Sequence, residues 1–451
     1  MLLLARYVLP ISSVHIENGA VLVQDGKIEA VGEAAELTRL YPDEEIRDFG
    51  VAALMPGFVD AHTHLEYTIL RGLINDLPYV DWKFALVEKE KLFTQEDWED
   101  SALLGALDAG RSGITTVADI TESGASFRAL KTVGLRGIVY REVGTMERSE
   151  VDSVLDAAYA DIAQWRAEAG EGFQRIGIAP SPLYSCHPLV FQHIADFAQD
   201  GTPVAVHLAG SREEYEFIRY GSSPFSVPSV EERGYGIDMP PWLATGVSPV
   251  RYILNWGVLD APNVLAIHCV HVDDDDISKL VDRDVAIAIC SRCNAQLGMG
   301  VAPLSKMLKA GLRIGLGTDS PAATDTTDPI AEMRLGLLIQ RSLGTGEDFL
   351  SAAQFVRLAT LDAAEALDIE DYVGSLEVGK LADIIAIDLS SSNQVPTLDP
   401  ASAIVNTTTK EDVIMTMVQG KILYDRGKHV PAIDWSRLAA RAHEMRLKLL
   451  G

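Results

Sequence analysis

Two histidines two residues apart end the run Met55-Pro-Gly-Phe-Val-Asp-Ala-His62-Thr-His64-Leu-Glu66. The run is apolar and rich in strand formers, and the two-residue period of a strand sets both imidazoles on one side. Neutral imidazole is a common ligand for zinc and neighbouring transition metals, so the pair makes half a metal site. Ordinary strands also carry His-x-His as satisfied polar residues, and local spacing leaves both readings open. The other ligands, if they exist, must come from elsewhere in the chain.

The elements that would position them follow from texture. Residues 1 to about 54 read as short strands, with Asp25-Gly26 between alternating apolar segments as a hairpin signal. Near the other end, Ala382-Asp-Ile-Ile-Ala-Ile and Asp412-Val-Ile-Met-Thr-Met-Val-Gln-Gly420-Lys-Ile-Leu-Tyr repeat the strand, tight turn, strand pattern. Neither piece can bury a core alone, so the termini are expected to pair into one small β-sandwich, residues 1–54 with 375–451. Between them, eight apolar runs (57–64, 115–119, 135–142, 175–180, 203–207, 264–268, 285–290, 313–319) alternate with segments of helical spacing such as 96–112 and 303–310. Eight strands, each followed by a helix, predict an α/β fold with a (β/α)8 barrel over 55–374, and a doubly wound sheet is the alternative.

Barrel enzymes carry chemistry at the C-terminal ends of their strands. Those ends hold His62 and His64 on the first run, His207 on the fifth, His268 on the sixth and Asp319 on the eighth. The chain has 10 histidines in all, so four at strand ends is a concentration that scattered core histidines do not give. Three imidazoles and a carboxylate suit zinc or iron(II) with room for a water. His207 or His268 taken singly also reads as a satisfied core histidine, and His271 points elsewhere.

With these motifs in order, the chain resembles the amidohydrolase superfamily. The resemblance is carried by His62-Thr-His64, Arg71-Gly-Leu-Ile-Asn-Asp-Leu-Pro-Tyr-Val-Asp-Trp82, Val206-His207-Leu-Ala, Ile267-His268-Cys-Val-His-Val-Asp, Leu316-Gly-Thr-Asp319-Ser and Gly374-Ser-Leu-Glu-Val-Gly-Lys-Leu-Ala-Asp383. It runs from about residue 20 to about residue 428 and points to the branch of nucleoside and triazine deaminases and chlorohydrolases. Tyr184-Ser-Cys-His-Pro188, the Glu213 to Phe225 stretch and Asn294-Ala-Gln-Leu-Gly-Met-Gly300 are more similar to aminodeoxyfutalosine and methylthioadenosine deaminases than to guanine or cytosine deaminases. The resemblance implies one divalent metal, zinc foremost and iron(II) next, on His62, His64, His207 and Asp319. It also implies that Asp319 moves the water proton while His268 orients the attacking oxygen, and that the protein is a homodimer. Binuclear members carry a carbamylated lysine at the end of the fourth strand, and none stands here.

Two positions depart from the branch. A glutamate three residues after the fifth-strand histidine protonates the ring nitrogen in its deaminases, and here that position is Gly210. A fourth-strand histidine that reaches substrate is Ser181 in Ala179-Pro-Ser181-Pro-Leu-Tyr184. Loss of such an acid costs typically about 10²- to 10⁴-fold. Glu66, Glu213 or Glu214 could replace it; alternatively the leaving group is a better one, such as halide, or the protein is a non-catalytic ligand-binding relative. The expectation is a hydrolase of C–N bonds acting on a purine-nucleoside-like or other N-heterocyclic amine. Trp82, Phe84 and Trp98 could form an aromatic lid over a flat ring, or simply pack. Tyr184 joins the candidate substrate contacts, while 212–219 reads first as a solvated helix face.

The remaining bulk properties narrow the partners. Hydrophobic and charged contents of 47% and 23% are those of a globular protein, and a net charge of −27 opposes a nucleic-acid partner. The four cysteines (Cys186, Cys269, Cys290, Cys293) lie in apolar surroundings, so a reducing compartment without disulfides is expected. Cys290-x-x-Cys293 has no second pair to complete a zinc knuckle and reads as buried thiols. Residues 1–10 lack a cationic start, and no apolar stretch of about 18 residues occurs, so no membrane partner and a cytoplasmic location are expected.

Overall fold

A computed structural model describes residues 1–169, 174–226, 243–344, 346 and 349–450. The N-terminal segment forms β1 (Leu2–Val8), β2 (Ile16–Gln24), β3 (Lys27–Glu33), β4 (Ile46–Asp48) and β5 (Ala52–Pro56). Asp25 and Gly26 join β2 to β3 with both φ angles positive (50° and 77°), which is what a two-residue hairpin turn with the twist of its strands requires.

Eight strands then make one parallel sheet in chain order: β6 (Phe58–Thr63), β7 (Ile114–Thr121), β8 (Arg136–Val143), β9 (Gln174–Pro180), β10 (Val204–Leu208), β11 (Val264–His268), β12 (Ala286–Ile289) and β13 (Ile314–Leu316). A parallel bridge between Thr63 and Asp319 brings the first strand to the last, so the sheet is a nearly closed barrel and not a doubly wound one. Small and branched residues such as Ala61, Ala118, Ile138, Ala205, Ile267 and Ala288 fill its interior. A second apolar layer, including Val117, Val139, Val206 and Ile287, faces outward to the helices. The last strand is shorter than its apolar run predicts. After Leu316 the chain leaves regular pairing because Thr318 and Asp319 turn their amides to Asp60 Oδ1 (2.8 Å) and the His62 carbonyl (2.9 Å).

The C-terminal segment adds β14 (Ile384–Asp388), β15 (Val413–Val418), β16 (Lys421–Asp425) and β17 (Lys428–His429). These join β1–β5 in one nine-stranded sheet, with β14 antiparallel to β5. The expected pairing of the two termini is therefore made strand to strand. The tips of the two hairpins meet, since a Cβ on Gly26 would lie 2.8 Å from Gln419 Cγ. We propose a division at Pro56 in place of residue 54, because β5 runs through Pro56 within the terminal sheet. We likewise propose grouping the helix Trp435–Leu450 with the barrel. It sits on the barrel helix Gln95–Arg111, where Asp100 meets Arg437 (2.7 Å) and Asp97 meets Arg441 (2.8 Å).

A buried ion pair ties the two sheets together. Asp383, the last residue of the Gly374 to Asp383 motif, accepts from Arg136 Nε (3.0 Å) and Nη2 (3.2 Å) at the start of β8, and from the Gln419 amide (2.8 Å). Removing one member of a buried pair strands the other charge at a cost of about 3–5 kcal/mol. Asp383→Ala is expected to lower the unfolding free energy by about that amount, read from the denaturant midpoint; a loss within 1 kcal/mol would show the pair to be dispensable.

Candidate metal centre and cavity

Four imidazoles and a carboxylate converge at the C-terminal mouth of the barrel. His62 lies near the end of β6 and His64 directly follows it, His207 lies on β10, His268 ends β11, and Asp319 follows β13. One ligand nitrogen from each of His62, His64 and His207 lies within 4.8 Å of the others, and a second group of His268, Cys290 and Asp319 is equally close. Asp319 links the groups, with Oδ1 3.6 Å from His62 Nε2 and Oδ2 3.7 Å from His268 Nε2. The orientation of His64 is set from behind: its Nδ1 lies 3.2 Å from the Ile120 carbonyl, which fixes the proton there and leaves Nε2 as a lone pair. That Nε2 faces His207 Nε2 at 3.4 Å, while the nearest carboxylate oxygen to the buried His62 Nε2 is Asp319 Oδ1, beyond ordinary hydrogen-bond distance at 3.6 Å.

Converging lone pairs in a buried site are costly unless a cation sits between them. Burial holds His64 down to about 3 and His207 well below the ordinary histidine range, with the neighbouring imidazoles adding to it. Burial also lowers His268 to about 4, against the pull of Asp319. Burial opposes the charge on Asp319, but its hydrogen bonding and attraction to His62, with His268 and His64, hold it well below the carboxylate range. Neutral His64 and His207 beside an ionised Asp319 are in the protonation states a divalent cation needs, and the buried His62 stands among them. The residues present therefore fit zinc or iron(II).

The backbone at these strand ends is strained to place the groups. Ala209, His268, Cys269 and Asp319 all have positive φ (51°, 74°, 46° and 60°), a conformation costing about 1–3 kcal/mol each for residues with side chains. Ladder-like bonds hold it, among them Cys269 N to Leu208 O (3.0 Å) and Val270 N to Ala209 O (3.0 Å). Gly317 has no side chain for a packing reason, since a Cβ there would lie 2.9 Å from both the His62 amide and Cys290 Sγ.

The cavity over the cluster measures about 50 Å³, room for a few waters in this conformation. Trp82 lines it together with Tyr79 and Lys83 from the helix Tyr79–Glu90, Met299 and Cys293. Tyr79 hydroxyl lies 2.6 Å from that of Tyr184, and Phe225 stacks on Tyr184 at 3.9 Å, so Tyr184 supports the wall without lining the cavity. Of the remaining aromatic lid candidates, Phe84 is core against Phe225, and Trp98 packs on Phe93 and Tyr67.

The substitutes for the missing acid are placed elsewhere. Glu66 is 2% exposed and outside the cavity lining, its oxygens taken by Thr121 Oγ1 (2.6 Å), Ser123 Oγ (2.5 Å) and the Glu122 amide (2.9 Å). Glu213 does not line the cavity either. Glu214 is buried with its oxygens on the amides of Ala209 and Gly210 (2.9 Å each), so it shapes the turn after β10. Gly210 abuts the site, because a Cβ there would stand 3.1 Å from His268 Cδ2 and from Met299 Cε. Ser181 lies outside the lining but bonds to a residue within it, Glu142. His271 Nε2 bonds the Met299 carbonyl at 2.8 Å, away from the cluster, and all four cysteines are buried and free. Tyr79, Lys83 and Glu142 escaped sequence reasoning; the strand-end rule that found the histidines covers Glu142, but a carboxylate among 65 acidic residues carries no contrast.

Barrel, cluster and cavity define a metal-dependent hydrolase of the amidohydrolase class, and the amidohydrolase family profile matches residues 53–423: the chain belongs to that family. Residues 19–43 also match an imidazolonepropionase-like composite domain of bacteria. Among sequences, it is similar to the 5-methylthioadenosine/S-adenosylhomocysteine deaminases of Symbiobacterium thermophilum (32% identity, 91% of this chain and 89% of the relative) and Moorella thermoacetica (31%, 96% of each). Among solved structures, it is similar to a zinc-bound adenosine deaminase from Xanthomonas campestris (25% identity, TM-score 0.85, 100% of this chain and 98% of the other). The fold is shared with the zinc-complexed atrazine chlorohydrolase TrzN from Arthrobacter aurescens (24%, TM-score 0.81, 98% and 100%). No helix among the described residues is long and apolar enough to cross a membrane.

Glu214 yields a pH test of this architecture. Burial raises its carboxyl from 4.5 to about 7, against the pull of the three amides it faces. A folded-state pKa above the unfolded one gives stability that is complete below 4.5 and lost as pH rises through 7. Wild type is expected to lose about 3 kcal/mol relative to Glu214→Gln between pH 4.5 and 7.5, measured by urea unfolding of both. Parallel pH profiles for the two proteins would contradict it.

Proposed function

We propose that this protein is a metal-dependent hydrolytic deaminase of an N-heterocyclic amine, with purine nucleosides as the favoured class. The observation that carries the reading is the convergence of buried His62, His64 and His207 with Asp319, beside an independently placed His268. The names of the sequence relatives support the substrate class. One zinc ion, or iron(II) in its place, would be held by those four residues, where it would lower the pKa of a water to about 7.

The chain's own groups do the rest. Asp319 accepts the water proton and returns it to the departing nitrogen, since its carboxylate lies close to both His62 and His268. His268, neutral and buried, orients the attacking oxygen and donates to the charge that builds on it. Trp82 and Tyr79 supply a flat apolar wall suited to stacking on a heterocycle. A bicyclic ring needs more than the 50 Å³ present, so substrate entry requires that wall or Met299 to move outward. Reaction with a better leaving group such as halide is the second reading, and Gly210 favours it by lacking a titratable side chain. We further infer a homodimer in the cytoplasm; free buried thiols at all four cysteines support a reducing compartment.

Elemental analysis of the purified protein is expected to find about one zinc or iron per chain, and His207→Ala to retain less than a tenth of it. The metal-loaded protein is expected to release ammonia from adenosine-type nucleosides. Halide or another amine released from triazines, with no ammonia from any nucleoside, pterin or triazine amine, would reject the deaminase reading in favour of the second.

A further inference from the structure

Hydrolysis of a heterocyclic amine requires a proton on the ring nitrogen as the carbon is attacked, and Gly210 cannot give one. Besides Asp319, one carboxyl group among the described residues lines the cavity: Glu142. Its place follows from strand register. Ile138 and Tyr140 on β8 point into the barrel, and the period of two makes Glu142 the next inward position, at the strand's C-terminal end. Ala179 on β9 is likewise interior, so Ser181 comes inward beside it, and its hydroxyl hydrogen-bonds the Glu142 carboxyl. Lys83 reaches the same cavity from the helix Tyr79–Glu90. The two departures from the family pattern thus stand together: the acid absent at Gly210 is matched by one on β8, and Ser181 is its partner.

We propose that Glu142 is the proton donor to the heterocycle, with Ser181 and Lys83 as its positioning residues; the proposal rests on the deaminase reading above. As the water oxygen bonds to the amine-bearing carbon, the C=N electron pair moves to the ring nitrogen, which takes the Glu142 proton. Asp319 takes one water proton. The exocyclic C–N bond then breaks with its pair on nitrogen, which leaves as ammonia carrying the Asp319 proton. The hydroxyl proton shed as the C=O forms restores the Glu142 carboxyl, so both acids end as they began.

The surroundings keep such an acid protonated near neutrality. Burial is the main influence and pushes Glu142 up to about 7; Lys83 and the Ser181 hydroxyl draw it down, while Glu122 and Glu90 push it up. Tyr67, Tyr184 and Cys186 also face it, and its charge opposes their ionisation. The neighbouring Arg141 is engaged by Asp161 at 2.8 Å and by the Glu142 carbonyl, not by the carboxyl. An acid that must be protonated gives a kcat/KM that falls as pH rises past 7.

The test is the pH profile of ammonia release by metal-loaded wild type, Glu142→Gln, Ser181→Ala and Lys83→Met, each with its metal content measured. Glu142→Gln is expected to lose about 100- to 1,000-fold in kcat at unchanged metal content, and to lose the alkaline limb near 7. Ser181→Ala and Lys83→Met remove influences that hold the carboxyl down, so their alkaline limb is expected to move to higher pH. A merely structural Glu142 would lower the rate without moving the limb in any variant. Near-wild-type kcat with an intact limb in Glu142→Gln, or limbs that stay in place in the other two, overturns the donor assignment while leaving the deaminase reading in force. No ammonia from wild type across the substrate panel overturns that reading, and this step with it.

Discussion

Barrel closure runs through a few hydrogen bonds at the seam between β6 and β13, and the site is built on that seam. Asp60 accepts from the Thr318 amide (2.8 Å) and hydroxyl (2.5 Å) and from the His62 amide (3.4 Å). The Asp319 amide donates to the His62 carbonyl, and the Thr63 hydroxyl donates to the Asp319 carbonyl (3.2 Å). Residues some 260 positions apart in sequence thereby become neighbours whose side chains face one cluster. Were the sheet open, His62 and His64 would stand at one edge and Asp319 at the other, and no cation could be shared. Burial raises Asp60 itself to about 6, so the carboxylate that fastens the seam is held in its charged form mainly by the donors from Thr318 and His62.

The cluster concentrates unfavourable energy that the rest of the fold must carry. Several non-glycine residues adopt left-handed backbone angles at strand ends, and imidazole rings are brought together in buried positions. The compensation is spread over a large apolar interior on both faces of the barrel strands and over buried ion pairs such as Arg136 with Asp383. This distribution explains why the terminal sheet is present at all: it covers the outside of the barrel and clamps the start of β8, well away from the chemistry.

Much of this was legible in the chain because the barrel is periodic. Apolar runs of strand length located all eight strands to within a few residues, and reading only their last residues found His62, His64, His207, His268 and Asp319. The hairpin at Asp25-Gly26 followed from turn chemistry. What escaped has a physical cause in each case. The shortness of β13 depends on Asp60, a partner about 260 residues upstream, and long-range capture of amides leaves no local trace. Glu66 looked exposed to chemistry beside the metal-binding pair, yet the 3-10 turn after β6 swings it onto the loop following β7. The neighbour of the C-terminal helix left no trace in the sequence, because its amphipathic pattern says that one face is buried, not against which element.

Steric and electrostatic conditions around His268 account for where the acid of this site stands. A side chain at position 210 begins 3.1 Å from the His268 ring and from Met299, and the turn bearing it is fixed by Glu214 through two amides. Met299 can give way, but the imidazole is held by its strand and its strained backbone. A side chain at 210 would therefore need His268 or Met299 to shift by a few tenths of an ångström. Glu142 approaches from β8, two strands from His207, in the same cavity and without that conflict. Trp82, Glu142 and the cluster residues His64, His207, His268 and Asp319 line one cavity. Addition across C=N needs a water-activating group at the carbon and a proton donor at the adjacent nitrogen, and this one cavity holds carboxyl groups for both, Asp319 and Glu142.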